Sequence, residues 1–348
     1  VTALEGLRIE AAGPAQAMKL GASVRFVDEA GPRGELVGFE GDRAILLACD
    51  PLDGIGPGAP VLFTSGLDTV RPSDSWLGRV IDAFAEPLDN LEFAKIARSV
   101  GIDGIEYVNQ MFKDKAKDEA YLGEMKQRAA GEGVQSLLIM CDGEGSLGAP
   151  QDPARAKTVE NHLKWLDAAA FLGCHSIRVN AASDAKLPAD EQAKLAADGL
   201  HRLCVEGDKR GLWVVVENHG GLSSNGKWLT QVMKLADHKR VGILPDFGNF
   251  YTDRAKSELY NPYQGLREFM PWVKQAVSAK SWDWDTGAGR FYTEDRREKI
   301  EMTLDFERLV KIAVGAGYSG YIGIEYEGVK HSEIEGIKRT KVKSKNNY

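Results

Sequence analysis

Three acidic residues close apolar segments of the chain that have the composition of buried strands. Glu217 follows Leu-Trp-Val-Val-Val, Asp246 follows Val-Gly-Ile-Leu-Pro, and Glu325 follows Tyr-Ile-Gly-Ile. A carboxylate in such a place is costly to bury unless it is paired, hydrogen-bonded or bound to a cation. If all three acids point into one ligand-binding mouth, they need a divalent cation or cationic side chains to stay ionised. Carboxylate-rich sites suit Mg²⁺ or Mn²⁺, and an added imidazole favours Mn²⁺, Co²⁺ or Zn²⁺.

Other polar side chains accompany these acids. Because side chains alternate along a strand, His219 shares a face with Glu217, and Lys280 shares a face with Ser278 on another apolar segment. The remaining polar residues of this kind are Glu106, Arg178 and Asn180. Each of them could contact a ligand in the mouth, and each could equally hydrogen-bond the backbone of a loop.

These residues must be positioned by the alternation of helix and strand patterns in residues 91–340. The apolar patterns predict strands at 104–108, 134–141, 176–180, 212–217, 241–246, 275–282 and 320–326. They predict helices at 91–100, 118–130, 154–172, 190–210, 228–236, 266–273, 305–316 and 331–341. Such alternation over about 250 residues indicates an α/β fold, a (β/α)8 TIM barrel. The first barrel strand is missing from the pattern, and only residues 76–84 could supply it.

The N-terminal part of the chain is expected to be a separate, small all-β barrel domain. Short alternating segments at 7–12, 23–27, 34–39, 43–48 and 60–63 are separated by turns rich in Gly and Pro. Strands of this length and spacing favour a closed or nearly closed barrel. We therefore predict a β-barrel domain at 1–75, a junction at 76–90, the TIM-barrel domain at 91–340 and a basic tail at 341–348.

Charge and composition exclude several classes of protein. The net charge is -7, so a nucleic-acid partner is not expected. Residues 1–90 carry 7 basic and 14 acidic residues, and this asymmetry supports a domain break near residue 90. No run of about 18 apolar residues predicts a membrane span. The absence of a signal-peptide pattern and of CxxC spacing among the four cysteines predicts reduced thiols in a cytoplasmic protein.

Five segments of the C-terminal region carry a family resemblance. They are GIDGIEY at 101–107, FLGCHSIRVN at 171–180, VENHGG at 216–221, PDFGNF at 245–250 and GYSGYIGIEYEG at 317–328. Through them, residues 88–340 resemble the xylose-isomerase-like TIM-barrel superfamily of sugar phosphate isomerases and epimerases, which is related to endonuclease IV.

That resemblance implies a divalent metal, Mn²⁺, Mg²⁺ or Zn²⁺, held by Glu, Asp, His and Glu. Glu217, Asp246 and Glu325 match the three acids of this set. The histidine is expected on strand seven, where Ser278 stands instead, and a hydroxyl is a poorer ligand than imidazole. His219 could substitute for it as a ligand. Alternatively, the Lys280 ammonium could neutralise part of the acid cluster without a metal.

The chemistry that the resemblance implies is epimerisation or aldose–ketose isomerisation. A base removes a proton next to a carbonyl, an acid returns it, and a further group holds the enediolate charge. Glu217 and Glu325 are the candidate acid–base pair, and a metal would be the electrophile. The candidate substrate-binding residues are Glu106, Arg178, Asn180, His219, Lys280 and Trp282. Of these, Trp282 could stack on a sugar ring or form part of a packed lid.

A second resemblance covers the N-terminal region. It rests on GLRIEAAGP at 6–14, GFEGDRA at 38–44, PLDGIGPG at 51–58 and RPSDSWLGRVID at 71–82. These segments resemble the N-terminal β-barrel domain of the flagellar protein-export ATPase. A nucleotide-binding domain should follow in that family, and it does not follow here. The segment 221–227 fits the P-loop spacing G-x-x-x-x-G-K, but Trp228 stands where a P-loop needs Ser or Thr. The chain therefore looks like a fusion with its junction near residues 88–90.

Three functions stay open from the sequence. The first is a sugar or sugar-phosphate isomerase or epimerase with a small-molecule substrate, which could be a homo-oligomer. The second is a catalytically inactive fusion or interaction protein, whose N-terminal barrel binds a protein partner. The third is an endonuclease-IV-like nuclease. That activity would need more His and Asp ligands and a more basic face than a neutral barrel and six histidines provide.

Overall fold

The computed structural model describes residues 1–5, 8–13, 22–28, 31–48, 50, 52, 54–63, 90–284, 290–294, 301–328 and 330–345. These residues belong to two compact units, one N-terminal and one C-terminal. The segment 76–84, which the sequence offers as barrel strand one, lies outside the described residues. The proposed domain boundaries therefore stay a prediction.

The N-terminal unit contains a six-stranded antiparallel sheet in the order β1-β2-β5-β4-β3-β6. Its strands are β1 (Ala3–Glu5), β2 (Arg8–Ala12), β3 (Ser23–Phe26), β4 (Arg33–Glu40), β5 (Arg43–Ala48) and β6 (Val61–Phe63). Alternate side chains on one face, among them Ile9, Phe26, Leu36 and Leu46, are fully buried and form the core of the unit. This alternation is what the sequence pattern predicts, and the all-β character of the region is confirmed.

In the described part of the C-terminal unit, seven barrel strands follow one another in chain order. They are β7 (Gly104–Val108), β8 (Gln135–Met140), β9 (Ser176–Val179), β10 (Trp213–Glu217), β11 (Val241–Leu244), β14 (Val277–Ser281) and β17 (Ile322–Tyr326). Strands β7 to β11 form one parallel sheet, and β14 pairs in parallel with β17. A parallel bridge between Asp246 and Ser278 connects the two sheets. The prediction of a TIM barrel preceded by a small β domain is confirmed.

Two short hairpins, which the patterns did not predict, follow the carboxyl ends of barrel strands. The first consists of β12 (Tyr251–Asp253) and β13 (Glu258–Leu259), after β11. The second consists of β15 (Arg290–Glu294) and β16 (Glu301–Asp305), after β14. Both therefore lie in loops at the end of the barrel where ligands bind in this fold.

Helices connect the barrel strands. They are α1 (Phe93–Ser99), α2 (Glu119–Gly131), α3 (Asp152–Leu172), α4 (Ala189–Asp208), α5 (Gly226–Ala236), α6 (Pro262–Phe269), α7 (Phe306–Gly315) and α8 (Glu333–Lys345). The side chain of Asp118 caps α2, and that of Asn225 caps α5. None of the helices in the described ranges is both long and apolar enough to span a bilayer.

The positions of α6 and α8 differ from the sequence prediction. Helix α6 begins four residues earlier than predicted, because Asn261 caps it and Pro262 occupies its first turn, where a missing N–H is tolerated. It ends before a 3₁₀ turn at Met270–Trp272 that contains Pro271. Helix α8 runs on to Lys345, so the first residues of the predicted basic tail are helical.

Strands β17 and β7 approach each other through side chains. A Cβ atom added to Gly323 of β17 would lie 2.9 Å from Glu106 Oε2 of β7, and one added to Gly104 would lie 2.9 Å from the Tyr321 ring. Lys341 of α8 donates to the Val100 carbonyl at 2.7 Å. Within the part of the chain that the structure describes, β17 is hydrogen-bonded to β14 alone. Its residues are half-buried, whereas those of β14 are fully buried.

Candidate active site

The three strand-end acids meet at the carboxyl ends of β10, β11 and β17, a region called the mouth below. One carboxylate oxygen from each of Glu217, Asp246 and Glu325 lies within 4.8 Å of the others. Glu217 is the last residue of β10, Asp246 follows β11 by two residues, and Glu325 is the fourth residue of β17. The barrel thus brings together three residues that are far apart in sequence.

Glu217 is almost fully enclosed, with 2% of its surface exposed. Its Oε2 lies 2.8 Å from Arg178 Nε, although the N–H is not aimed at the oxygen. Its Oε1 accepts a hydrogen bond from Asn249 Nδ2 at 3.2 Å. Arg178 also donates to Asp142 Oδ1 at 2.6 Å. Burial raises the pKa of Glu217, and the positive charge of Arg178 opposes that rise.

Asp246 is completely buried and is held by donors on both oxygens. Its Oδ1 accepts the backbone N–H groups of Gly248 at 2.7 Å and Asn249 at 3.0 Å. Its Oδ2 accepts a hydrogen bond from Ser278 Oγ at 3.2 Å and lies 3.7 Å from Lys280 Nζ. Burial raises the pKa of Asp246 well above its usual range, against the charge of Lys280.

Lys280 is the cation at the centre of this acid cluster. Its ammonium lies 2.9 Å from Glu325 Oε1, 3.3 Å from Glu327 Oε1 and 3.7 Å from Asp246 Oδ2. The parallel register explains the shortest of these contacts, because Lys280 of β14 stands opposite Glu325 of β17. Burial by itself would lower the pKa of Lys280, but the surrounding carboxylates outweigh it and raise the pKa. Lys280 is therefore an ammonium ion.

Glu106 adds a fourth acid on β7. Its Oε1 is buried and accepts no hydrogen bond from any described residue. Burial, and then the negative charges of Glu217 and Glu325, raise the pKa of Glu106 to about 8. Glu106 therefore carries a proton near neutral pH and can donate a hydrogen bond.

The other predicted site residues lie around this cluster. Asn180 donates to Asp142 Oδ1 at 2.7 Å. His219 is exposed, and it is not part of the group of three acids whose oxygens converge. The Trp282 indole lies directly over Gly248, where an added Cβ would come within 1.9 Å of its ring. Trp282 is partly buried, so part of its surface remains accessible.

Three residues that hold the mouth together were missed by sequence reasoning. They are Asp142, Asn218 and Asn249. Asn218 Nδ2 donates to the carbonyls of Asp246 at 3.0 Å and Asn249 at 2.8 Å, and its Oδ1 accepts the Asp246 N–H at 2.7 Å. The signal that could have found Asn218 is an amide side chain directly after a buried strand, because a buried polar group is nearly always hydrogen-bonded.

The described side chains do not complete the four-ligand metal site that the resemblance implies. Three carboxylates are close enough to share a cation. The place of the histidine, however, is taken by Ser278, whose hydroxyl donates to Asp246. Lys280 already pairs with Asp246 and Glu325, and Arg178 with Glu217. The described residues thus offer a cation three carboxylates and no imidazole.

Comparison with known proteins separates the chain into two parts. The family model "Xylose isomerase-like TIM barrel" matches residues 94–343. The model "ATP synthase alpha/beta family, beta-barrel domain" matches residues 5–65. The two predicted resemblances, and the combination of two kinds of domain in one chain, are therefore confirmed.

Solved structures similar to this chain share its barrel fold. The 3-keto-D-glucoside 4-epimerase YcjR from E. coli has a TM-score of 0.58 and 17% identity, over 75% of this chain and 95% of that one. A xylose isomerase-like TIM barrel protein from Mycobacterium smegmatis, in complex with magnesium, has a TM-score of 0.55 and 14% identity, over 78% and 95%. The D-psicose 3-epimerase from Clostridium cellulolyticum H10 has a TM-score of 0.55 and 12% identity, over 75% and 93%. At identities this low, the similarity shows a shared fold and nothing more.

Curated relatives match the N-terminal region. The flagellum-specific ATP synthase of Caulobacter vibrioides is 43% identical over 94 residues, which cover 26% of this chain and 21% of that protein. The protein of the same name from Aquifex aeolicus is 27% identical over 86 residues, covering 25% of this chain and 19% of that protein. This chain thus spans about a fifth of the length of the curated relatives that it matches.

Proposed function

The chain belongs to the xylose isomerase-like TIM barrel family, and on that premise we propose that it is a sugar or sugar-phosphate isomerase or epimerase. The observation that carries the proposal is the meeting of Glu217 and Glu325 in one mouth, beside two buried cations, Arg178 and Lys280. Solved structures with the same fold include epimerases that act on 3-keto-D-glucoside, D-psicose and L-ribulose. The proposed substrate is therefore a small carbohydrate with a carbonyl group.

Glu217 and Glu325 are the proposed acid–base pair. One carboxylate removes the proton from the carbon next to the carbonyl, and the electrons of that C–H bond move to the carbonyl oxygen to form an enediolate. The other group, in its protonated form, returns a proton to the same carbon or to the adjacent one. A pair of this kind needs one group in each protonation state at the start of the reaction.

Substrate orientation would come from the polar residues around the acids. Asn180 and His219 stand near the ends of β9 and β10 and can bind hydroxyl groups. Glu106, protonated near neutral pH, can donate a hydrogen bond to a hydroxyl or a carbonyl. The accessible part of Trp282 offers an apolar surface for a sugar ring. Together these groups would fix the carbon that loses its proton.

Proton exchange with solvent tests this proposal. The full chain is incubated in D₂O with ketoses, aldoses and their phosphates, and deuterium at the carbons next to the carbonyl is followed by NMR. We expect exchange with at least one substrate and its loss in Glu217→Gln. Glu160→Gln is the matched control, because Glu160 is an exposed residue of α3 that pairs only with Lys157 among the described residues. Unchanged exchange in Glu217→Gln would reject the assigned role.

A second candidate is a protein-interaction role for the N-terminal unit. Its support is the match to flagellum-specific ATP synthases, together with two exposed apolar side chains of β4, Val37 and Phe39. Sedimentation of the full chain at increasing concentration tests whether this face joins two copies. We expect self-association that Phe39→Asp weakens. A monomer at every concentration would reject a homo-oligomer formed through this face.

A further inference from the structure

Two buried cations lie among the acids of the mouth. Arg178 and Lys280 are 4% and 2% exposed, so both charges are removed from water. Arg178 accompanies Glu217, and Lys280 accompanies Asp246 and Glu325. The two side chains together carry the charge of one divalent ion. The chain itself therefore already supplies two positive charges beside the three acids that could hold a metal.

Three of the four carboxylate oxygens of Asp246 and Glu217 also accept hydrogen bonds. Asp246 accepts two backbone N–H groups on Oδ1 and the Ser278 hydroxyl on Oδ2. Glu217 accepts from Asn249 on Oε1 and faces Arg178 with Oε2. A metal would have to compete with these donors for lone pairs, without the imidazole that would strengthen the site.

We propose that this site works without a resident divalent cation and that the Lys280 ammonium, with Arg178, holds the charge of the enediolate. The inference rests on the proposed function. Its geometric support is the distance of 2.9 Å from Lys280 Nζ to Glu325 Oε1. A metal bound to that oxygen at a usual distance of about 2.1 Å would lie no more than about 5 Å from the ammonium. At that separation, inside a buried cluster, the two cations repel each other strongly.

The geometry also makes Lys280 a hydrogen-bond donor. Three carboxylates surround its nitrogen within 3.7 Å. An ammonium so placed has no lone pair with which to attack a carbonyl, so no covalent Schiff base is part of the proposal. Its N–H groups can instead point to the oxygen on which negative charge develops, as the donors of an oxyanion hole do.

Direct measurement of Mn²⁺ binding tests the proposal independently of catalysis. The full chain is stripped with EDTA, dialysed, and titrated with Mn²⁺ while the electron paramagnetic resonance signal of free Mn²⁺ is recorded. We expect the wild-type protein to leave the free signal unchanged. Stoichiometric Mn²⁺ binding by the wild-type protein, abolished in Asp246→Asn, would overturn the proposal.

Two variants identify the obstacle to metal binding. Ser278→His supplies the missing imidazole but keeps the ammonium, and the double variant Ser278→His/Lys280→Met also removes the ammonium. We expect the double variant to bind Mn²⁺ about 100-fold more tightly than Ser278→His alone. Equal affinities of the two variants would show that the ammonium does not exclude the metal and would contradict the proposal. Circular dichroism checks folding, and if the double variant does not fold, the wild-type titration decides.

The exchange assay separates this inference from the proposed function. Exchange that persists in EDTA supports a metal-free site. Exchange that EDTA abolishes and Mn²⁺ restores overturns it. Absence of exchange in every sample would reject the proposed function, while the Mn²⁺ titration would still decide whether the site holds a cation.

Discussion

The two acids of the proposed pair stand on strands with different surroundings. Glu217 ends β10, which is hydrogen-bonded to β9 on one side and to β11 on the other. Glu325 lies on β17, which in the described ranges pairs with β14 alone. The consequence is visible in exposure, because the Glu217 side chain is 3% exposed and that of Glu325 is 37% exposed.

This difference shows how one barrel can give two carboxylates unlike properties. Glu217 is fixed by Arg178 and Asn249, and burial raises its pKa. Glu325 is held by Lys280, and its side chain is partly exposed. The two acids of the proposed pair therefore differ in how firmly the protein holds them.

The largest expected effect is on catalysis, which should need both acids equally although their surroundings differ. Glu217→Gln and Glu325→Gln should each slow proton exchange by about 10²–10⁴-fold. The double variant should be little slower than either single one, because residues that act as a unit are not additive. Deuterium incorporation by NMR measures all three variants. Wild-type exchange in either single variant would show that the two acids are not a pair.

A stability measurement should show the opposite, unequal result. Arg178→Met leaves the buried Glu217 without its cation, and the cost should be about 3–5 kcal/mol in the free energy of unfolding. Glu325→Gln removes a partly exposed partner of Lys280 and should cost about 1 kcal/mol or less. Urea denaturation followed by circular dichroism gives both values. Similar losses in the two variants would contradict the difference between the two strands.

The hydrogen bonds that hold the strand ends near the acids should also contribute unequally to stability, with the larger contribution at β10. Asn218→Ala removes three bonds that join the ends of β10 and β11, and it should destabilise the protein by about 2–3 kcal/mol. Ser278→Ala, on β14, removes one hydrogen bond of 3.2 Å to Asp246 and should cost about 1 kcal/mol. Urea denaturation compares the two variants directly. A larger loss for Ser278→Ala would place the more rigid part of the mouth at β14.

The smallest expected effect is a difference in amide hydrogen exchange between β17 and β10. Because the residues of β17 are half-buried and those of β10 are mostly fully buried, the amides of β17 should exchange at least about 10-fold faster than those of β10, a difference of ~1.4 kcal/mol. Mass spectrometry of peptic fragments resolves the two strands. Equal protection would mean that another segment pairs with β17, as the sequence suggests for residues 76–84.

The local part of the fold could be predicted from the sequence. The period of apolar residues places every barrel strand except the first within about two residues of its observed ends at most positions, because burial on both faces leaves a continuous apolar run. The start of α6 and the two short hairpins were harder to predict. Asn261 and Pro262 begin α6 four residues before its apolar pattern does, and the two hairpins after β11 and β14 carry no long alternating run.

Sequence by itself determined which acids reach the mouth, since Glu217, Asp246 and Glu325 follow apolar strands and the carboxyl ends of parallel strands meet at one end of a barrel. Only the tertiary structure decided the partners of these acids. Lys280 pairs with Glu325 because the register of β14 with β17 places the two residues opposite each other. Asp142 accepts a hydrogen bond from Arg178, which lies 36 residues further along the chain. Register and ring closure are long-range properties, and no local pattern of side chains specifies them.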